Sequence, residues 1–185
     1  MAHWAVVTYG SEVNRSAEVR ALAGLLRARG LSVAGFAQDK RIDAEGRASI
    51  ELLRLGRDER RPLGATGGTE AKAASQGECT FTFSADAFAC ARAWLEEDAK
   101  QAQVLLLSEV SKLEVGGEGH FGALVWALGL DESKVVVFVA RANQLSYLVE
   151  KLKPGGDPVA YLELPSAGPE KEAFAQTLAA ALAVA

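Results

Sequence analysis

At 185 residues the chain has the length of one domain, and 49% hydrophobic with 24% charged residues supply one sizeable core, which excludes intrinsic disorder as the main state. Its 20 Lys+Arg against 24 Asp+Glu give a net charge of −4 with no basic block, so neither a nucleic acid nor an anionic membrane face is expected as partner. Two cysteines, Cys79 and Cys90, and two histidines, His3 and His120, are too few for a disulfide framework or a His-rich metal site; with no basic leader and no apolar run near the roughly 20 residues of a membrane span, a cytoplasmic protein is expected.

In chain order, Trp4 to Thr8 is an almost continuous apolar run, as a strand buried on both faces requires. Ser16 to Arg29 follows with Val19, Leu22, Ala23, Leu25 and Leu26 at helical spacing, and Gly30 stops it before a second strand, Leu31 to Ala37. Residues 41–83 break the rhythm and predict an antiparallel β-meander, with a Gly/Ser/Thr-rich loop over Gly64 to Gly77 and a strand at its end, Glu78 to Phe83. A helix over Ser84 to Gln101 comes next, capped by Ser84 or Asp86 and burying Phe88, Ala91, Trp94 and Leu95. Strand Val104–Leu107, helix Phe121–Leu130, strand Val135–Ala140, helix Asn143–Lys151, a weaker strand Val159–Leu164 and a terminal helix from Pro169 to about Ala183 complete the chain. Strands alternating with helices predict a single α/β domain over 1–185, a mainly parallel sheet flanked by helices with the meander inserted. The first strand is expected at its centre, beside Val104–Leu107, so that the loops after both open on one edge.

Ligands of open α/β sheets sit at the carboxyl ends of the strands, which directs attention to those two loops. A phosphate-binding loop reads G-x-x-x-x-G-K-[ST]: the glycines let backbone N–H groups curl around phosphate, the lysine reaches the outer phosphates and the hydroxyl holds Mg²⁺. Here the same register reads Tyr9-Gly10-Ser11-Glu12-Val13-Asn14-Arg15-Ser16, retaining only the terminal serine. Arg15 keeps the charge but presents a planar fork, Tyr9 adds bulk at the bend, and Glu12 places a negative charge in the cradle. The second loop, Ser108-Glu109-Val110-Ser111-Lys112-Leu113-Glu114, follows an apolar strand where a carboxylate ordinarily orients Mg²⁺; Ser108 stands at that position and Glu109 keeps the next, which can polarise attacking water. Gly116, Gly117 and Gly119 then lead into a helix near His120.

Taken together, these loops make residues 3–152 resemble the small P-loop nucleoside-triphosphatases first described from thermophiles, which include a cancer-related human relative. That family's Thr-Gly-x-Pro-Gly-x-Gly-Lys-Thr loop corresponds to Thr8 to Ser16, its Gly-Phe strand to Gly35-Phe36, and its Asp-Glu-x-Gly-Lys-x-Glu loop to Ser108 to Glu114. The chain is still more similar to a bacterial branch with degenerate Walker motifs, whose genes often lie near those of molybdate uptake or molybdenum enzymes. That branch's Lys-x-Glu-x-x-Gly-x-Gly pattern is matched by Lys112, Glu114, Gly117 and Gly119, and its Gly-x-x-Gln by Gly35 and Gln38.

The resemblance implies Gly10, Ser11, Val13, Asn14, Arg15 and Ser16 as the phosphate-binding set, Glu109, Lys112 and Glu114 as the catalytic set, and Ser16 with Glu109 at a metal. ATP or GTP with Mg²⁺ are the implied cofactors, and a nucleotide or small oxyanion the implied partner, with homo-oligomerisation left open. Loss of both loop glycines, the lysine and the metal-orienting aspartate predicts binding with little or no hydrolysis. Active Mg²⁺-dependent hydrolysis and a vestigial cleft on an assembly or regulatory partner are the alternatives.

Overall fold

Alternation along the first strand sets the architecture. β1 (His3–Tyr9) sends Trp4 and Val6 into one core and Ala5, Val7 and Tyr9 into another, and all of them are buried. Such a strand needs helices on both faces. The computed structural model describes residues 1–10, 14–57, 59–66, 81–110 and 112–184. Ser11, Glu12, Val13, Ser111, Cys79, the Gly/Ser/Thr-rich loop beyond Thr66 and the first part of the Glu78–Phe83 strand lie outside them.

After β1 come α1 (Arg15–Ala28), β2 (Val33–Ile42), β3 (Ala48–Arg54), β4 (Arg60–Thr66), β5 (Phe81–Phe83), α2 (Ala85–Asp98) and β6 (Val104–Val110). They are followed by α3 (Lys112–Val115), α4 (Phe121–Leu128), β7 (Val135–Arg141), α5 (Leu145–Leu152), β8 (Tyr161–Leu164) and α6 (Gly168–Ala183). Among the described residues the strands form one sheet in the order β5-β4-β3-β2-β6-β7-β1-β8. It is parallel from β2 through β8 and antiparallel from β2 to β5, so the meander extends the parallel sheet at one side. Residues of α1 and α6 pack into the core on one face, those of α2, α4 and α5 into the core on the other.

The expected place of the first strand is corrected: β1 pairs with β7 and β8, and β6 pairs with β2 and β7, so β7 lies between the two loop-bearing strands and β1 stands beside the edge strand β8, not at the centre. Val135 to Ala140 is buried on both faces and as apolar as β1 or β6, and apolar continuity alone cannot rank three such strands. The shared edge holds, because β1 and β6 both run parallel to β7. β2 is longer than the apolar run suggested. It pairs with β6 only to Phe36, and its polar second half pairs with β3 as far as Ile42.

Local chemistry fixes the element ends. Asn14 caps α1 by accepting from the Ala17 N–H (3.2 Å), and Ser84 caps α2 by accepting from Ala87 (3.2 Å). Helix α2 buries Ala87, Ala91 and Leu95 at i, i+4 and i+8, while Phe88 and Trp94 are half-buried against the same core. The meander is tied to α2 by Arg54, which is 3% exposed and bonded to Asp98 (2.8 and 2.5 Å), Glu97 (2.9 Å) and Glu59 (3.1 Å).

Candidate functional site

The carboxyl ends of β1 and β6 stand about 10 Å apart, two strand spacings, with the end of β7 between them. Long side chains bridge that gap. The Tyr9 hydroxyl donates to Glu109 Oε2 (3.0 Å), Arg15 Nε donates to Glu109 Oε1, and the Arg15 guanidinium lies 5.0 Å from the Tyr9 ring centroid. The pair is largely sheltered, with side-chain exposures of 19% for Arg15 and 12% for Glu109. Burial, and then the Glu109 carboxylate beside it, pushes the Tyr9 phenol well above its ordinary range, so it stays a donor at neutral pH.

Glu109 reaches this position through an irregular backbone. The β6–β7 register shifts between Ser108 and Val110, and Glu109 sits there with φ 64°, which a non-glycine residue adopts at a cost of about 1 kcal/mol or more. Such a bulge re-aims one side chain out of the alternation of the strand. Arg141, at the end of β7 and in register with Tyr9, adds an exposed cation at the same edge and opposes the rise in the Tyr9 pKa. Sequence reading passed over it because its place depends on β7 lying between the two loops.

Asn14, Arg15 and Ser16 line a cleft of about 260 Å³ together with Gln38, Asp39, Lys40 and Ile42. A larger groove, about 640 Å³ between β8 and α6, includes none of the residues picked out from sequence. Ser16 is buried, and its Oγ has no hydrogen-bond partner among the described residues; the same holds for Ser108 Oγ. Mg²⁺ calls for hard oxygen donors, carboxylates and phosphates above all. Among the described residues, Ser16, Ser108 and Glu109 offer two neutral hydroxyls and a carboxylate whose oxygens already serve Tyr9 and Arg15, and Asp39 of the cleft lies against Arg60 (3.4 Å). That donor set does not fit a resident Mg²⁺. Among the described residues no group of three or more His, Cys, Asp or Glu could hold a metal ion.

The second loop is not the open loop that its glycines suggested. Lys112 to Val115 forms the short helix α3, which leaves Lys112 exposed and buries Glu114 at 2% exposure. Glu114 Oε1 accepts from the His120 backbone N–H (2.9 Å). Gly119 makes room for that carboxylate: with φ 60°, a Cβ there would stand 2.4 Å from Glu114 Oε1. The His120 ring stacks on Phe36 (4.2 Å, 30°), meets Phe88 edge-on (4.7 Å, 81°) and lies 3.2 Å from Gln38 Nε2. The Gly35/Gln38 and Glu114/Gly119 patterns therefore converge on one buried cluster around His120. The signal in sequence was the period-2 spacing of Phe36 and Gln38, which puts both on one face of β2.

Burial pushes the His120 imidazole down to about 3, so the unfolded chain takes up a proton below about 6.5 while the folded one stays neutral. Between those values the unfolded state binds more protons, and this group lowers stability by up to about 1.4 kcal/mol for each unit of falling pH. His120→Phe should make the loss of stability in mild acid shallower by about one proton, read from urea unfolding at a series of pH values. An unchanged slope would mean that the ring titrates freely in the folded state.

A parallel sheet with helices on both faces, a helix opening after its first strand, and a carboxylate reaching that helix from the end of β6 across β7 make up an α/β fold like that of the P-loop NTPases. The chain belongs to the family described as Protein of unknown function (DUF2478), whose model matches residues 4–147. No curated protein matches it by sequence. Its fold is similar to the crystal structure of THEP1 from the hyperthermophile Aquifex aeolicus, at TM-score 0.63 and 13% identity over 97% of this chain and 98% of that one. It is similar also to the solution structure of a human cancer-related nucleoside triphosphatase, at TM-score 0.65 and 14% identity over 99% and 98% of the two chains. Among the described residues no helix is long and apolar enough to cross a membrane.

Proposed function

We propose that this protein binds the phosphate groups of a nucleotide, or a small oxyanion, at the N-terminus of α1 and hydrolyses nucleotides little or not at all. The observation that carries the reading is the bond from Arg15 to Glu109. The cation at the position of the phosphate-loop lysine is held by the residue at the position of the water-activating carboxylate. Neither is free for phosphoryl transfer while they hold each other, and Ser108 supplies no charge for a metal. An incoming oxyanion takes the place of Glu109 on the Arg15 fork, as bidentate guanidinium pairing allows.

The unpartnered Ser16 hydroxyl and the first-turn N–H groups of α1 complete the cradle, with Gly10, Ser11, Val13 and Asn14 in the loop. Lys112 is exposed on α3 and does not line the cleft of Arg15 and Ser16, and Glu114 holds the backbone at His120. Nucleotide binding is also what the likeness to the two triphosphatase folds supports, and it suits a cytoplasmic protein. Molybdate, a tetrahedral oxyanion, belongs among the ligands to test because of the gene neighbourhoods of the similar bacterial branch.

Thermal unfolding with ATP, GTP, molybdate and sulfate, run beside a phosphate-release assay with Mg²⁺, tests this. At least one of these anions should raise the midpoint, since a ligand of the folded state must stabilise it. Phosphate release should stay at background. Mg²⁺-dependent release that is lost in Glu109→Gln would replace this reading by an active triphosphatase.

A further inference from the structure

The face of the sheet that carries α1 continues beyond the helix onto β3 and β4, where a groove of about 320 Å³ opens. Arg20 and Arg27 of α1 border it on one side and Arg60 of β4 on the other, above Ala23, Leu53 and Leu55, which are themselves buried in the core. Arg20 and Arg27 are seven residues apart, two helical turns or about 10 Å along one face. No carboxylate borders the groove among the described residues.

The arginines here are not equally compensated. Arg54 and Arg57, which also border the groove, are paired with Asp98 and Glu97 of α2, and Arg60 lies 3.3 Å from Glu51 and 3.4 Å from Asp39. Among the described residues Arg20 and Arg27 have only backbone partners: Arg20 Nε donates to the Ser16 carbonyl (3.2 Å), and Arg27 Nη2 to the Val33 carbonyl (3.0 Å). Each keeps a full charge and further N–H donors for a ligand.

We propose that this groove is a second anion site, separate from the one at the α1 N-terminus, and that it takes a phosphate group. The phosphate lies between Arg20 and Arg27, whose planar forks match its oxygens two at a time. Arg60 closes the far side. The volume suits a small ligand, being at the low end of the roughly 300–1,000 Å³ of ordinary ligand pockets.

Backbone NMR spectra of the full chain, titrated with phenyl phosphate and with inorganic phosphate, test the proposal. The Gly56 amide reports on this groove and the Gly10 amide on the α1 N-terminus, so failure at one site is distinguishable from failure at the other. Both phosphates should shift Gly56 saturably. Arg20→Gln and Arg27→Gln together should weaken that binding at least about tenfold, and Arg27→Lys, which keeps charge without the fork, should weaken it less. Both arginines are exposed, so the variants should keep the wild-type melting midpoint, and the single changes give the same reading if the double variant does not. An unmoved Gly56 amide, or equal affinity in the double variant, overturns the site.

Discussion

Gly35→Ala is expected to prevent folding or to remove at least about 4 kcal/mol of stability, as a substitution combining backbone strain with a core clash does. Gly35 pairs with Leu106 at the junction of β2 and β6, with φ 123°, where side chains are rarely accommodated. A Cβ there would lie 2.0 Å from the Leu106 carbonyl oxygen and 2.8 Å from its nitrogen, and neither backbone atom can yield without parting the strands. Parting them would also disturb Phe36, and with it the ring stacked on His120. Urea unfolding decides the matter, and a loss under about 1 kcal/mol would mean that the two strands are not held at this distance.

Arg15→Ala should cost about 2–4 kcal/mol, because it strips the cation from a carboxylate that is 12% exposed and, among the described residues, leaves it the Tyr9 hydroxyl. The paired change Arg15→Met with Glu109→Leu should cost less than Arg15→Ala, since no orphaned charge remains. If the double change costs as much as the sum of the separate ones, the two residues are not coupled, and the contact does not shape the cleft.

Much of the fold is legible in the sequence because strands buried on both faces must be continuously apolar and their helices must show a 3.6-residue period. β1, β6, β7, α1 and α2 follow from those two facts to within a few residues. The order of the strands does not follow, since β7 carries the same pattern as its neighbours. At the site, the register of Arg15 and Glu109 against a phosphate loop and a strand-end carboxylate is visible in the chain. Their mutual engagement is not, because it depends on a bulge that gives Glu109 a positive φ and on three side chains crossing the end of β7. Glu114 illustrates the same limit: a carboxylate among glycines reads as solvated, and only the fold shows it bonded beneath His120.

Calorimetric titration of ATP into the wild-type protein and into Glu109→Gln puts the competition for Arg15 to its most direct test. Glutamine keeps the size of the side chain and an acceptor for Tyr9 but gives up the charge that holds Arg15. The variant should bind ATP about tenfold more tightly, equivalent to about 1.4 kcal/mol, with phosphate release still at background. Unchanged or weaker binding by Glu109→Gln would contradict the account, because it would show that Glu109 does not compete with the ligand for Arg15.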